Sequence, residues 1–302
     1  MKTLLKALRG SQPANFLATG LVKHAYALAG RSSGEFFVKH LPRSGPVRAR
    51  LPNGRTLKLR SRGDDGIANQ VFWRGWTADE PEALPLFFAL AQRASVVFDV
   101  GAHVGIYSLV ASLANPAARI FAFEPLPRTR DRLLANLAGN STANVEVLPC
   151  AVGDVAGIAT LYCAHRGIPM SSSLSRDFMS RSVSTALIPE TVTVTTVDDF
   201  CRARAISKID LIKLDIEGLE PQALRGMARL LDHARPDIFC EVLCNSGTDA
   251  ALAGLIAPLG YRIYALDPGG IEPQATLTVA ANRRNYLFTM RSLQELRTLL
   301  HA

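Results

Sequence analysis

Cysteine is scarce in this chain, and what there is lacks pattern. The five residues Cys150, Cys163, Cys201, Cys240 and Cys244 are odd in number and contain no Cys-x-x-Cys pair, which argues against a disulfide framework or a structural zinc site and for reduced thiols. Long apolar runs are missing as well: no stretch approaches the roughly 18 to 20 residues that span a bilayer. Lys23 and His24 interrupt the N-terminal segment, which has no clear small-residue cleavage site. A cytoplasmic location is expected. There is no internal repeat, and 302 residues at 48% hydrophobic and 20% charged can bury one large α/β core with room for an extension.

Acid is almost absent from the first 63 residues. They hold 13 Lys or Arg against the single acid Glu35, a charge of +12, whereas the remaining 239 residues carry −4. The net +8 therefore belongs to a basic extension, residues 1–63, and does not mark residues 64–302 as a nucleic-acid binder. Within the extension, Met1 to Gly30 shows mixed helical patterning, and alternating runs at Val47 to Arg50 and Arg55 to Arg60 flank Pro52-Asn53-Gly54, a hairpin turn signal. A basic amphipathic segment suits peripheral contact with an anionic membrane or a polyanionic glycan; packing on the core or on a partner subunit is the plainer reading.

The most informative stretch is Val96-Val97-Phe98-Asp99-Val100-Gly101-Ala102-His103-Val104-Gly105, followed by Ile120-Phe121-Ala122-Phe123-Glu124-Pro125. It reads as a buried parallel strand, a glycine turn, a helix start and a second strand that ends in one carboxylate. Glycine at 101 and 105 permits a sharp turn and close approach of a ligand. Glu124 occupies the crevice position where a carboxylate accepts ribose hydroxyls. The dinucleotide fingerprint needs glycine where His103 stands. Asp99 just before the turn would repel a pyrophosphate and suits a cationic ligand such as S-adenosylmethionine.

Further strands are expected at Val145 to Pro149, leading into Ala151-Val152-Gly153-Asp154 beside an adenine ring, at Ile209 to Asp215, and at Asp237 to Val242. Tyr261 to Leu266 and Asn285 to Met290 read as a terminal antiparallel hairpin. Helical patterns cover about Val104 to Ala114, Arg128 to Ala138, Leu219 to Leu231 and Thr248 to Leu259. The expected fold is a seven-stranded, Rossmann-like class I methyltransferase sheet.

The segments FDVGAHVGIYS, FEPLPRTRDRLLANL, VEVLPCAVGD, TVTTVDDF and IDLIKLDIEGLEPQALRGM, in that order, resemble the FkbM family of S-adenosylmethionine-dependent methyltransferases over roughly Val71 to Met290. Family members commonly carry Asn where this chain has His103. The resemblance implies O-methylation of a sugar, glycan or secondary-metabolite hydroxyl, with the cofactor held by Asp99, Gly101, His103, Gly105, Glu124, Pro125, Val152 and Asp215. In the family the region of Trp73 and Trp76 leads into the first core helix, where core packing is the default.

A hydroxyl is a weak nucleophile, so a general base or a divalent metal is expected beside it. Asp215 and Glu217 alternate at a strand end and would point to one face; Glu241, on the next strand, is a further candidate. The plainer reading has Asp215 on the cofactor amine, Glu217 capping the helix that starts near Gly218, and Lys213 paired inward with a carboxylate. The segment from about Val155 to Ser207 is too long for a simple connection. It carries Met170-Ser171-Ser172-Ser173-Leu174 and His165, and acceptor recognition is expected there. No Asn-Pro-Pro-Tyr follows the fourth strand, which disfavours base amino methylation. A nicotinamide-dependent oxidoreductase and a non-catalytic glycan or membrane adaptor stand as alternatives; acceptor identity, base against metal, and oligomeric state stay open.

Overall fold

The computed structural model describes residues 11–28, 35–164, 168–169, 171–244, 247–280 and 283–301. They form two compact units, one comprising residues up to Pro81 together with Leu134–Ser141, the other Glu82–Leu133 and Thr142 onward. The expected boundary at residue 63 thus lies short of the observed one. Residues 64–81 belong with the first unit because the helix they form covers the apolar side of the hairpin.

The first unit contains α1 (Gln12–Leu28), α2 (Glu35–His40), β1 (Ser44–Arg50), β2 (Thr56–Arg62) and α3 (Gly66–Arg74). Alternation makes the hairpin two-faced: Val47, Leu57 and Leu59 are buried while Arg48, Lys58 and Arg60 are exposed. Asp65 accepts from the Ala68 N–H at 3.0 Å and starts α3. Arg43 is buried, donates to the Phe16 carbonyl and Thr19 hydroxyl at 2.6 Å each, and lies over the rings of Phe16 and Phe72. Trp73 is core, as expected, and its indole N–H reaches the Leu41 carbonyl at 3.3 Å. The free edge of β2 is closed by Asn136 and Asn140, which accept from Arg60 and Lys58 at 2.9 Å.

The second unit runs α4 (Leu84–Ala91), β3 (Val96–Val100), α5 (Ile106–Ala114), β4 (Arg119–Phe123), α6 (Pro127–Asn140, which continues into the first unit), β5 (Val145–Leu148), β6 (Cys150–Val152), β7 (Gly157–Cys163), β8 (Ser172–Ser173), α7 (Arg176–Ser182), β9 (Ile188–Thr195) and α8 (Val197–Ala203). It continues with β10 (Leu211–Leu214), α9 (Glu220–Arg225), α10 (Ala228–Ala234), β11 (Asp237–Glu241), α11 (Asp249–Ile256), β12 (Arg262–Asp267), β13 (Gly270–Gln274), β14 (Asn285–Thr289) and α12 (Leu293–His301). The main sheet has eight strands among the described residues, in the order β13-β12-β14-β11-β10-β3-β4-β5. Strands β11, β10, β3, β4 and β5 are parallel, and β14 enters antiparallel between β11 and β12. The expected count of seven is corrected by β13, a short edge strand whose Pro273 disguised it in the sequence; an edge tolerates a residue without an N–H.

Both faces are covered, which is why the central strands read as near-continuous apolar runs. On one face Phe98, Phe121 and Phe123 meet Phe200 of α8 with ring centroids 5.2 to 5.7 Å apart. On the other, Phe87 of α4 stands edge-on to Tyr107 of α5 at 4.6 Å and to Phe239 of β11 at 5.4 Å. The single helix expected over Leu219 to Leu231 is broken into α9 and α10 at Gly226, where a Cβ would sit 2.0 Å from the Gly153 carbonyl oxygen.

The long segment after β6 folds into its own sheet, ordered β6-β9-β7-β8. The expected β runs at Thr160 to Cys163 and Thr191 to Val197 fall on β7 and β9. His165 and Met170 lie outside the described residues. No helix among the described residues is long and apolar enough to cross a membrane.

Candidate active site

Strand order reverses between β3 and β10, since β3 continues to β4 on one side and pairs with the much later β10 on the other. Open α/β sheets bind ligands outside the carboxyl ends at such a point. Registers Val100↔Leu214, Val100↔Phe123 and Leu214↔Cys240 put Gly101, Glu124 and Asp215 just past the ends of three adjacent strands and Glu241 at the last position of a fourth.

The loop after β3 is folded by its own acids. Asp99 is buried, and one oxygen accepts from the Ser108 N–H at 2.8 Å and its hydroxyl at 2.6 Å, which ties the first turn of α5 to β3. Burial pushes its pKa up to about 6 against the opposing hydrogen bonds. Gly101 has φ +86°, and a Cβ there would stand 1.9 Å from the Asp215 carbonyl oxygen. Gly105 has φ +91° and faces Leu133 at 2.2 Å. The space at both glycines is therefore filled by the chain itself. His103 also has positive φ, +51°, a conformation costly for a side-chain-bearing residue.

Glu124 binds the loop from the next strand. Its two carboxylate oxygens accept the N–H groups of His103 at 3.0 Å and Leu126 at 2.8 Å. It is 5% exposed, and burial raises its pKa to about 7. Each oxygen keeps a second lone pair for a hydroxyl. Arg130 donates to the carbonyls of Glu124 and Pro125, fixing the Glu-Pro corner. Val152 is buried in the main hydrophobic cluster and presents no polar atom of its side chain.

The β10 end is built differently. The strand stops at Leu214, so the expected alternation of Asp215 and Glu217 along a strand does not occur; Glu217 sits in a turn with φ +56°. Lys213, 2% exposed, points inward as expected, with Nζ 3.6 Å from Asp215 Oδ2 and 4.8 Å from the centre of the Tyr107 ring. Glu217 is pushed up to about 8, chiefly by burial and then by the Asp215 charge, while a hydrogen bond with Ser171 opposes the shift. The turn itself is capped by Glu220, which accepts from the N–H groups of Ile216 and Gly218 at 3.1 Å each. The capping expected of Glu217 thus falls to Glu220, itself buried and raised to about 7. Glu220 was not singled out from the sequence; its place at the first turn of a helix, three residues beyond Glu217, was the available signal.

The insertion reaches both halves of this edge. His103 Nε2 lies 2.8 Å from the Pro169 carbonyl, and Ser173 donates to the Glu217 carbonyl at 2.8 Å. Glu241 is half-buried one strand over from Asp215, beside Asn285. Among the described residues no three His, Cys, Asp or Glu side chains are placed to hold a metal ion.

A profile of the methyltransferase FkbM domain matches residues 99–263, more than half of the chain and the whole of the edge just described. The chain belongs to the FkbM methyltransferase family. One curated relative, the 31-O-demethyl-FK506 methyltransferase FkbM of Streptomyces tacrolimicus, is 30% identical over 243 residues, 72% of this chain and 89% of that one. The hexuronic acid methyltransferase AglP of Haloferax volcanii is 28% identical over 172 residues, covering 56% and 64%. A solved structure of methyltransferase FkbM from Methylobacillus flagellatus aligns at TM-score 0.43 and 19% identity over 65% of this chain; the chain spans 43% of its length.

An FkbM enzyme uses S-adenosylmethionine, and the donor set here fits that group. A carboxylate with free lone pairs stands at the switch point beside a glycine turn, and Asp215 and Glu217 follow the adjacent strand end, which suits a sulfonium and an ammonium. Family membership sets aside the oxidoreductase and the non-catalytic adaptor.

Proposed function

We propose that this FkbM enzyme is an O-methyltransferase acting on a hydroxyl of a sugar, glycan or secondary metabolite, with Glu217 as the general base. The observation that carries the base assignment is Glu217 itself: half-buried, in a left-handed turn beyond β10, beside Asp215 and raised to about 8. A carboxylate with so high a pKa is a far stronger base when ionised than an ordinary glutamate. The names of two relatives, one a 31-O-demethyl-FK506 methyltransferase and one a hexuronic acid methyltransferase, support a hydroxyl-bearing acceptor.

S-adenosylmethionine supplies an electrophilic methyl group. The chain's own residues do the rest. Glu124, Pro125 and the loop from Gly101 to Gly105 hold the adenosyl end, Asp215 faces the amino-acid end, and Glu217 takes the hydroxyl proton as the acceptor oxygen attacks in line. Serines 171 and 173, on the insertion, hold Glu217 in place. Glu241 borders the acceptor side from the next strand. Whether a divalent metal assists is settled by chelation: full activity after exhaustive treatment with EDTA supports Glu217 acting alone.

The experiment is calorimetric titration of S-adenosylmethionine into the wild type and Glu217→Gln, followed by transfer of isotopically labelled methyl to hydroxylated glycans and secondary metabolites. Binding retained by the variant, with methyl ether formation only by the wild type, supports the reading. Product carrying the label on nitrogen or carbon would sink it.

A further inference from the structure

Helix α1 is amphipathic the wrong way round for a free surface helix. Its only full charge, Lys23, is turned inward, with Nζ on the Phe72 carbonyl and 4.7 Å from the centre of the Phe72 ring, and burial lowers its pKa. Asn15 and Thr19 are buried on the same inner side. The outer side carries Leu17, Leu21 and Leu28, which are 64%, 70% and 77% exposed, with His24 completing the stripe at helical spacing. Phe36 of α2 is 43% exposed. Half of the large hydrophobic side chains exposed among the described residues come from these two helices, although they make up a small part of the chain. Leucines on a solvent-facing stripe without a charge mark an interaction surface.

The hairpin of the same unit supplies the second observation. From Ser44 to Arg62 it has six Lys or Arg and no acid. Register places Arg48 opposite Lys58 and Arg50 opposite Thr56, all on the exposed face, while the other face is core. Like charges directly opposite across a hairpin are destabilising unless an anion screens them. Asn15 and Arg43 tie the helix to the start of this hairpin: Asn15 accepts from the Ser44 N–H at 2.7 Å, and Arg43 donates to the Phe16 carbonyl.

We infer that the first unit docks on the surface of an anionic phospholipid bilayer, with Leu17, Leu21, Leu28 and Phe36 entering the headgroup boundary and the hairpin cations pairing with lipid phosphates. Two terms act together there: burial of apolar side chains and attraction to a negative surface. A second copy of the chain is a poorer occupant, because it would bring an equally basic segment against this one. Nucleic acid would use the cations and leave the leucines in water.

The test uses the full chain and co-sedimentation with vesicles of phosphatidylcholine alone or mixed with phosphatidylglycerol. The wild type is expected to pellet with the mixed vesicles and to stay in solution with the neutral ones. Leu17→Ser with Leu21→Ser should lower the vesicle affinity about tenfold or more, and Arg48→Glu with Lys58→Glu by at least as much. All four positions are exposed, so unchanged melting temperature and S-adenosylmethionine binding certify the variants as folded. Failure of the wild type to bind the mixed vesicles overturns the inference. So does retention of full vesicle binding by the leucine variant, or a solution dimer that the leucine variant dissolves.

Discussion

The two halves of the strand-end edge hold similar numbers of acids and use them in opposite ways. On the β3–β4 side, one oxygen of Asp99 and both of Glu124 accept N–H and O–H groups of the chain itself, at 2.6 to 3.0 Å. On the β10 side, Glu220 accepts the backbone N–H groups, while Asp215 lies 3.6 Å from Lys213 Nζ and Glu217 is bonded to Ser171. All four raised acids feel burial and a like charge; Asp99, Glu124 and Glu220 accept backbone N–H groups and hold a shape, whereas the bond to Glu217 comes from the Ser171 hydroxyl. Acidity at a strand end therefore does not by itself mark chemistry.

Substitutions sharpen that contrast, beginning with the most drastic. Gly101→Val should abolish folding or cost about 3 kcal/mol or more, because it sets a Cβ against the Asp215 carbonyl at positive φ; urea unfolding followed by circular dichroism measures it. Glu217→Gln should lower kcat by about 10²- to 10⁴-fold while S-adenosylmethionine affinity changes little, and the rise of rate towards about pH 8 should disappear with it. A loss of binding of the same size in Glu217→Gln would erase the distinction between the halves. Ser108→Ala should cost roughly 1 to 3 kcal/mol of stability by leaving Asp99 under-satisfied, again read by urea melts.

A smaller effect is expected from pH. Asp99, Glu124, Glu217 and Glu220 are raised to about 6, about 7, about 8 and about 7. The folded chain therefore binds more protons than the unfolded one above the unfolded pKa values. The stability these groups contribute is full below the unfolded values and is lost as pH rises through about 6 to about 8. The melting temperature without ligand should fall over that range, and cationic S-adenosylmethionine should offset part of the fall. A flat profile by scanning calorimetry would contradict the picture of four desolvated carboxyls. Last, Ser173→Ala should cost about 1 kcal/mol and shift the pH–rate profile, since its hydroxyl holds the Glu217 carbonyl.

The parallel core was legible because strands covered on both faces write continuous apolar runs, as in Val96 to Val100 and Leu211 to Leu214. Asp99 and Glu124 were found because each ends or nearly ends such a run. Alternation does not place Glu217, because the strand ends at Leu214 and the chain has turned before Glu217. Glu220 was hidden because its role depends on two N–H groups that become available only once that turn exists. Strand β13 was masked by Pro273, and the boundary at Pro81 by the fact that α3 resembles any other buried helix in sequence.

The cap formed by Glu220 bears on how a mutational scan of this enzyme would read. A screen scored only on turnover would rank Glu220 beside Glu217, since releasing the Ile216 and Gly218 N–H groups lets the whole turn drift. The two phenotypes separate under rescue. Added formate, small enough to enter the space left by Glu217→Ala and made more basic there by the burial that raises Glu217, could stand in for the missing side-chain base and would do nothing for a turn that has lost its anchor.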